Sequence, residues 1–168
     1  PNSPSSPESI VFFPEYYEWL DEISPAHIFS RSIHGEGFRM RKSFENGILN
    51  YRKYDSCLEN ALTVESPESL CKIALNRLRW PSRLEDIFRE KYENVIKKYM
   101  GTAFTLAVKD QDFPMLQFIC EHFSPDASAL ASAIDQCIEK EWGEGNAFLI
   151  EAKHKSFSKK TFDFDLDF

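Results

Sequence analysis

The sequence has no uninterrupted apolar run of about 18 residues, so it contains no candidate membrane-spanning helix. It also lacks the phosphate-binding pattern G-x-x-x-x-G-K-[ST], the dinucleotide pattern G-x-G-x-x-G and the nucleophile pattern G-x-S-x-G. Its histidines and cysteines match no zinc-module spacing. We therefore predict no enzymatic activity, no cofactor, no bound metal and no membrane partner.

Cysteine is scarce, and the four cysteines form no C-x-x-C pair: Cys57, Cys71, Cys120 and Cys137. Each lies among apolar residues at helical spacing, which indicates reduced thiols in a core. This favours a cytoplasmic or nuclear location. No signal-peptide pattern is present, and the first residue is Pro1 rather than Met, so we expect a segment of a longer protein.

Basic residues are outnumbered, because 20 Lys and Arg face 27 Asp and Glu, for a net charge of −7. This balance argues against a general nucleic-acid or anionic-membrane surface. One local exception is a glycine-bearing loop in which Arg39, Arg41 and Lys42 lie between Phe38 and Phe44. Cations beside aromatic rings can clamp single-stranded nucleic acid, so a nucleic-acid-associated accessory domain is one alternative. A second basic cluster contains Arg77, Arg79 and Arg83. For both clusters the plainer interpretation is a solvated helix face or pairing with the chain's own abundant Glu residues.

Apolar residues make up 42% of the chain and include 15 Phe, which is enough for a sizeable core. Their spacing predicts an all-α fold, either a helical-hairpin repeat stack or an irregular helical bundle. Three regions are expected: a Pro/Ser-rich disordered arm at 1–9, a helical interaction domain at 10–152 and an extended tail at 153–168. Ser3 and Ser6 in the arm precede Pro and are candidate phosphorylation sites.

The helix-forming segments are predicted from apolar periodicity and from Ser-Pro starts. An aromatic helix is expected within 10–23, a short helix from Pro25, and an irregular loop with one short hairpin at 31–50. Further helices are expected at 51–62, 67–79, 82–99, 102–109, 113–123, 125–140 and about 145–153. Ser24, Ser66 and Ser124 are predicted N-caps, and Gly101 is a predicted helix stop.

A repeat pattern supports the stack. The run Thr102-Ala103-Phe104-Thr105-Leu106-Ala107 resembles the T-P-L-H-x-A signature of ankyrin repeats, with Ala103 in place of Pro and Thr105 in place of His. Ser69–Ala74 lies 33 residues upstream of this run, and a partial third copy begins at Ser128 with an offset of 26. The resemblance covers about 67–152. It implies a ligand groove whose rim is formed by these residues: Phe104, Lys109, Asp110, Gln111 and Asp112.

A second resemblance overlaps the first. Residues 69–77, SLCKIALNR, resemble the start of a SOCS box, the helix by which substrate receptors hold elongin C. The box has Leu four residues before its Cys, whereas this chain has Pro67 there. A substrate-receptor adaptor of a ubiquitin ligase is therefore a further alternative.

The tail alternates apolar and acidic residues strictly: Phe162, Asp163, Phe164, Asp165, Leu166, Asp167 and Phe168. This period predicts an extended segment that docks on its own domain or on another protein, or else a disordered end. The tail resembles the acidic tips of bacterial single-stranded-DNA-binding proteins, which recruit partners through a terminal Phe. A calcium loop is excluded, because the required Gly and Glu are missing. Self-association through the tail is also open.

Together these patterns favour a non-catalytic protein–protein interaction module, a scaffold or adaptor. Its predicted contacts are a helical groove, the tail residues and three aromatic residues of the N-terminal segment: Tyr16, Tyr17 and Trp19.

Overall fold

The computed structural model describes residues 9–21 and 29–162, with side chains for residues 9–16 and 34–155. The predicted all-α class is confirmed, because the described residues form nine helices and only two two-stranded sheets. The chain divides into two compact units, Pro1–Val95 (unit 1) and Ile96–Phe168 (unit 2). None of the helices in the described ranges is long and apolar enough to cross a membrane.

Unit 1 begins with a hairpin where a helix was predicted. Strand β1 (Tyr16–Asp21) pairs antiparallel with β2 (Phe29–His34), so that Tyr16 lies opposite His34. The prediction of a helix within 10–23 was wrong, because Tyr and Trp side chains favour a strand once a partner strand satisfies the backbone. The short helix expected from Pro25 starts outside the described residues, and β2 occupies its later part.

The predicted loop at 31–50 contains more regular structure than expected. Helix α1 (Gly37–Arg41) is followed by strands β3 (Phe44–Glu45) and β4 (Ile48–Leu49), which form the predicted short hairpin. Asn46 and Gly47, with φ of 50° and 79°, make its two-residue turn. Positive φ at both central positions is the requirement of a type I′ turn, which explains the Asn-Gly pair.

Three helices complete the core of unit 1: α2 (Tyr51–Ser56), α3 (Leu58–Val64) and α4 (Pro67–Arg79). The single helix predicted at 51–62 is thus divided at Cys57, whereas α4 has the predicted bounds. Ser66 caps α4 as predicted, since its side chain accepts a hydrogen bond of 3.2 Å from the Ser69 amide. Pro67 follows at the first helical position, where its missing N–H costs nothing.

Residues 9–16 are fixed to these helices in an extended conformation. The Tyr54 hydroxyl donates to the Phe12 carbonyl at 2.5 Å and accepts from the Phe12 amide at 3.2 Å. The Gly37 amide donates to the Pro14 carbonyl at 2.8 Å, and a Cβ at Gly37 would overlap that carbonyl. Glycine at position 37 therefore permits the segment to lie directly against α1.

The boundary between the units falls within α5 (Asp86–Lys98). Unit 2 continues with α6 (Met100–Lys109), α7 (Phe113–Phe123), α8 (Ala127–Glu139) and α9 (Gly143–Phe162). The bounds of α7 are those predicted. Gly101 does not stop a helix but lies inside α6, and Ser124 does not cap α8. Ser124 ends α7 with φ of 46°, while Asp126 caps α8 through the Ala129 amide at 2.8 Å.

Two successive helical hairpins have the same turn. In the first hairpin (α6–α7), the amides of Asp110, Gln111 and Asp112 donate to the carbonyls of Leu106, Val108 and Ala107. In the second hairpin (α8–α9), the bonds recur thirty residues later, from Lys140, Glu141 and Trp142 to Gln136, Ile138 and Cys137. Gln111 and Glu141 share a left-handed conformation, with φ of 49° and 54°.

The hairpins also pack in register, with α6 against α8 and α7 against α9. Unit 2 is therefore a helical-hairpin repeat stack with a period of thirty residues. The turn geometry makes Ser132 the equivalent of Thr102, four residues after the start of the predicted third copy at Ser128. The thirty-residue period is difficult to recognise in the sequence, because Ala107 and Val108 of the first hairpin correspond to Cys137 and Ile138 of the second.

Candidate functional site

Residues 38–48 place several large apolar side chains at the surface of unit 1. Helix α1 carries Phe38, and the β3–β4 hairpin carries Phe44 and Ile48, of which Ile48 is 69% exposed. The Lys42 ammonium lies 4.9 Å from the centre of the Phe38 ring. We call Phe38, Lys42, Phe44 and Ile48 the aromatic hairpin surface. Exposed aromatic residues on a rigid turn are typical of protein-binding surfaces.

The predicted basic patch is largely neutralised by carboxylates of the same unit. Arg41 donates to Glu15 at 2.7 Å, and the Arg39 guanidinium lies 3.4 Å from Glu36. Lys42 has no ion pair among the described residues, and its ammonium lies over the Phe38 ring. Paired arginines attract phosphates less strongly, so most of the positive charge on which a nucleic-acid surface would depend is offset by neighbouring carboxylates.

The hairpin is held against the N-terminal segment. The Phe44 ring lies 6.1 Å from Phe13, whose ring in turn meets Tyr54 edge-on at 5.7 Å. The Asn50 amide donates to the Ser43 carbonyl at 2.9 Å and closes the base of the hairpin. These contacts fix the backbone of the aromatic hairpin surface before any partner binds.

The predicted aromatic anchors have different placements. The Tyr16 hydroxyl donates to Glu65 at 3.1 Å and bonds to the Ser69 hydroxyl at 2.7 Å, so Tyr16 braces unit 1 as well as being partly exposed. Tyr17 and Trp19 lie in β1 opposite Ile33 and Arg31, and their side chains lie outside the described set. No shared aromatic helix brings the three together.

A small cavity lies beside Tyr16. Its volume is about 250 Å³, and residues 12–16 line one side of it, with Ser66, Glu68, Ser69 and Lys72 on the other. Lys72 is paired with Glu68 at 2.8 Å. Ligand pockets are usually larger, about 300–1,000 Å³. The cavity therefore does not define an enclosed small-molecule site.

A buried ion pair supports the whole of unit 1. Arg77, which is 0% exposed, donates to both carboxylate oxygens of Asp55 at 2.8 and 2.9 Å. The Tyr92 hydroxyl donates to the same carboxylate at 2.8 Å. Burial raises the pKa of Tyr92, and so does Asp55, which keeps the phenol protonated as a donor. Arg77 therefore does not lie on a solvated helix face; it pairs within the chain, as the second interpretation of this cluster expected, although with an Asp rather than a Glu.

Burial and the Asp55 carboxylate act oppositely on the Arg77 guanidinium. Burial favours its neutral form, but the hydrogen bonds and charge of Asp55 prevail and raise its pKa. Two further N–H groups donate to the carbonyls of Trp80 and Ser82 at 3.4 and 3.2 Å. Both charges of this ion pair thus have hydrogen-bonded partners, which is what a buried ion pair needs to be tolerated in a core.

The predicted groove rim is only partly at the surface. Lys109, Asp110 and Gln111 are exposed in the first turn, but Phe104 is buried and belongs to the core of unit 2. Phe104 was misplaced because it was assigned from the ankyrin signature rather than from the apolar stripe of α6. Asp112 caps α7 by accepting from the Met115 amide at 2.8 Å.

The C-terminal tail begins later than predicted. Helix α9 continues through the basic segment 153–160 and ends at Phe162, because no Gly or Pro interrupts it. Lys155 pairs with Glu151 at 2.7 Å on this helix. The remaining tail residues lie outside the described part of the chain: Asp163, Phe164, Asp165, Leu166, Asp167 and Phe168.

Cys71 and Cys137 are buried, and Cys57 and Cys120 are half-buried. Burial raises the pKa of Cys71 and Cys120 to about 12 and raises that of Cys57 and Cys137 as well. All four are free of disulfides. No three His, Cys, Asp or Glu side chains within the described ranges are arranged to hold a metal ion.

We expect Cys71 and Cys120 to react very slowly with a thiol-specific disulfide reagent at pH 8. A pKa near 12 lowers the thiolate fraction about 10³-fold relative to a free cysteine of pKa about 8.5. Labelling followed by mass spectrometry measures each site, and the same chain in urea is the control in which all four react quickly. Rapid labelling of Cys71 in the folded chain would contradict the buried placement.

Comparison with known proteins adds no family. Neither a protein-family model, nor a curated protein, nor a solved structure matches this chain significantly. The resemblances to ankyrin repeats and to the SOCS box therefore stay predictions.

Proposed function

We propose that this chain is a non-catalytic protein–protein interaction module, a scaffold or adaptor that binds its partner through the aromatic hairpin surface. The observation that carries the proposal is the exposure of Phe38, Phe44 and Ile48 on two consecutive short elements. Burying such side chains against a partner removes apolar area from water at about 25 cal/mol per Å².

Rigidity strengthens the proposal. The turn at Asn46 and Gly47, the Asn50–Ser43 hydrogen bond and the Phe13–Phe44 contact hold the surface in one conformation. A surface that is ordered before binding loses less conformational entropy when the partner arrives. Lys42 beside Phe38 adds a positive charge that selects for an acidic group at the edge of the contact.

The alternatives have less support. A nucleic-acid surface would use Arg39 and Arg41, which already pair with carboxylates. A ubiquitin-ligase adaptor of the SOCS-box kind would present Leu70 and Cys71 to elongin C, and both are buried in unit 1. Docking through the tail 162–168 remains a separate part of the proposal, which a deletion tests directly.

Affinity purification with the intact chain tests the proposal. We expect the double substitution Phe38→Asp and Ile48→Asp to reduce recovery of specific partners at least about tenfold, since anchors of this kind contribute more than about 1 kcal/mol each. The matched control is Ile87→Asp, which alters an isoleucine that is 60% exposed on α5. A third variant lacks residues 163–168.

The three variants separate the outcomes. Loss of partners in the double variant alone supports the aromatic hairpin surface, and loss in the deletion alone assigns binding to the tail. Equal recovery in all variants, each shown to be folded by circular dichroism, would overturn the proposal.

A further inference from the structure

Equivalent positions of the two hairpins in unit 2 differ in burial. Ala103 and Ala107 on α6 correspond to Ala133 and Cys137 on α8, and all four are buried. The neighbouring stripe behaves differently, because Val108 is 1% exposed whereas its equivalent, Ile138, is 59% exposed. The positions of Ala103 and Ala107 are thus buried in both hairpins. The position occupied by Val108 in the first hairpin is covered, whereas the same position, occupied by Ile138 in the second hairpin, is exposed.

Partly exposed isoleucine side chains occur on both helices of the second hairpin. Phe104 is buried, but its equivalent Ile134 on α8 is half-buried. On α9, Ile150 is 41% exposed next to the fully buried Leu149. We call Ile134, Ile138 and Ile150 the open face. Isoleucines at these positions are the residues that a further packed hairpin would bury.

Charge along the second hairpin is polarised. Residues 135–147, at the end of α8 and the start of α9, contain four acidic residues and one lysine. Residues 151–162, in the second half of α9, contain four lysines and one glutamate. Two copies of the second hairpin placed with their α9 helices antiparallel would set the acidic turn end of each hairpin beside the basic second half of the other copy's α9. The pattern is therefore complementary to itself.

We propose that the open face binds the open face of a second copy of this chain, with the two α9 helices antiparallel about a two-fold axis. Ile150 lies near the middle of α9 (Gly143–Phe162), so the two copies of Ile150 meet close to the axis. Such an interface is isologous and closes at a dimer. It lies in unit 2 and does not include the aromatic hairpin surface, so it stands independently of the proposed function.

The size of the face suits a reversible dimer. Helices of 13 and 20 residues are about 20 and 30 Å long and pack about 10 Å apart, which gives a face of about 500 Å² per copy. The total of about 1,000 Å² is where specific interfaces begin. A dimer that forms and dissociates over the micromolar range is expected.

Sedimentation velocity of the full chain tests the proposal. We expect a monomer–dimer equilibrium that Ile138→Asp with Ile150→Asp converts to monomer at every concentration. Ile87→Asp is the matched control and leaves the equilibrium unchanged. Deletion of residues 163–168 is also expected to leave it unchanged, because the tail is not the proposed contact.

A crosslinking experiment fixes the position of the axis. A short bismaleimide is expected to join two copies of an Ile150→Cys variant and not two copies of an Ile87→Cys variant, with the four native thiols as background in both. A wild-type chain that stays monomeric, or a dimer that persists in Ile138→Asp with Ile150→Asp, would overturn the proposal. A dimer lost on deletion of 163–168, or assemblies larger than a dimer, would overturn it as well.

Discussion

Replacement of Arg77 by Ala is expected to lower the free energy of unfolding of unit 1 by about 3–5 kcal/mol. The change leaves the Asp55 carboxylate buried with the Tyr92 hydroxyl as its remaining side-chain donor. It also deletes a fully buried side chain that lies 4.8 Å from the centre of the Tyr51 ring. Urea denaturation followed by tryptophan fluorescence measures the loss.

The control for this prediction is an exposed ion pair of the same unit. Arg52 lies 3.7 Å from Glu85 with most of its side chain in water. Its replacement by Ala is expected to change the free energy of unfolding by less than about 1 kcal/mol, as is usual for surface pairs. A loss at Arg77 no greater than at Arg52 would show that the buried pair does not stabilise unit 1.

Replacement of Trp142 by Ala is expected to destabilise unit 2 by about 3–5 kcal/mol. Trp142 is buried at the turn between α8 and α9, and its ring lies where a Cβ of residue 145 would be. Glycine at position 145 therefore makes room for the indole, and Ala at position 142 would leave a cavity in its place. Hydrogen exchange of α8 and α9 is expected to accelerate by about two to three orders of magnitude.

Glu139→Ala, an exposed position on α8, provides the control for Trp142. It is expected to change stability by less than about 0.5 kcal/mol. Gly145→Val should act in the same direction as Trp142→Ala, because the added methyl groups overlap the ring. Normal exchange protection in both Trp142→Ala and Gly145→Val would exclude the indole as a support of the second hairpin.

The helices that the sequence predicted most accurately carry their own boundary signals. Ser66 and Pro67 open α4, and Asp112 followed by Pro114 opens α7, so both helices have the predicted bounds. These signals are local, because a cap and the amide that it satisfies are three residues apart. Helix α9 has no such signal at its end, and its prediction stopped nine residues early.

Features that depend on distant residues escaped prediction. The β1 strand exists because β2 pairs with it, and the periodicity within 10–23 contains no trace of that partner. Pairing of the basic loop with the chain's own Glu residues was expected, but the particular partner was not, because Glu15 lies 26 residues from Arg41. The aromatic hairpin surface could have been predicted from the sequence, because the Asn46-Gly47 pair between apolar residues signals a hairpin that exposes its tip.

The sequence contains a signal for the buried Arg77–Asp55 pair, although the pair was not predicted from it. Arg77 falls four residues after Ile73 and three after Ala74, on the apolar stripe of α4 rather than opposite it. A charged residue on a buried stripe needs an opposite charge in the core. Asp55 could have been suggested as the partner, because it adjoins Tyr54 and Leu58 on the apolar side of α2 and α3.

The attachment of residues 9–16 determines how unit 1 would respond to a pulling force at its N-terminal side. Tension entering at Ser9 would load the Ser9–Tyr51 hydrogen bond of 2.6 Å first and the paired Phe12–Tyr54 bonds next. The Pro14–Gly37 bond would follow. Because the bonds are loaded one after another, we expect the segment to detach before the Arg77–Asp55 pair is loaded. Under such a force, residues 9–16 of unit 1 are therefore expected to detach while the core of the unit stays folded.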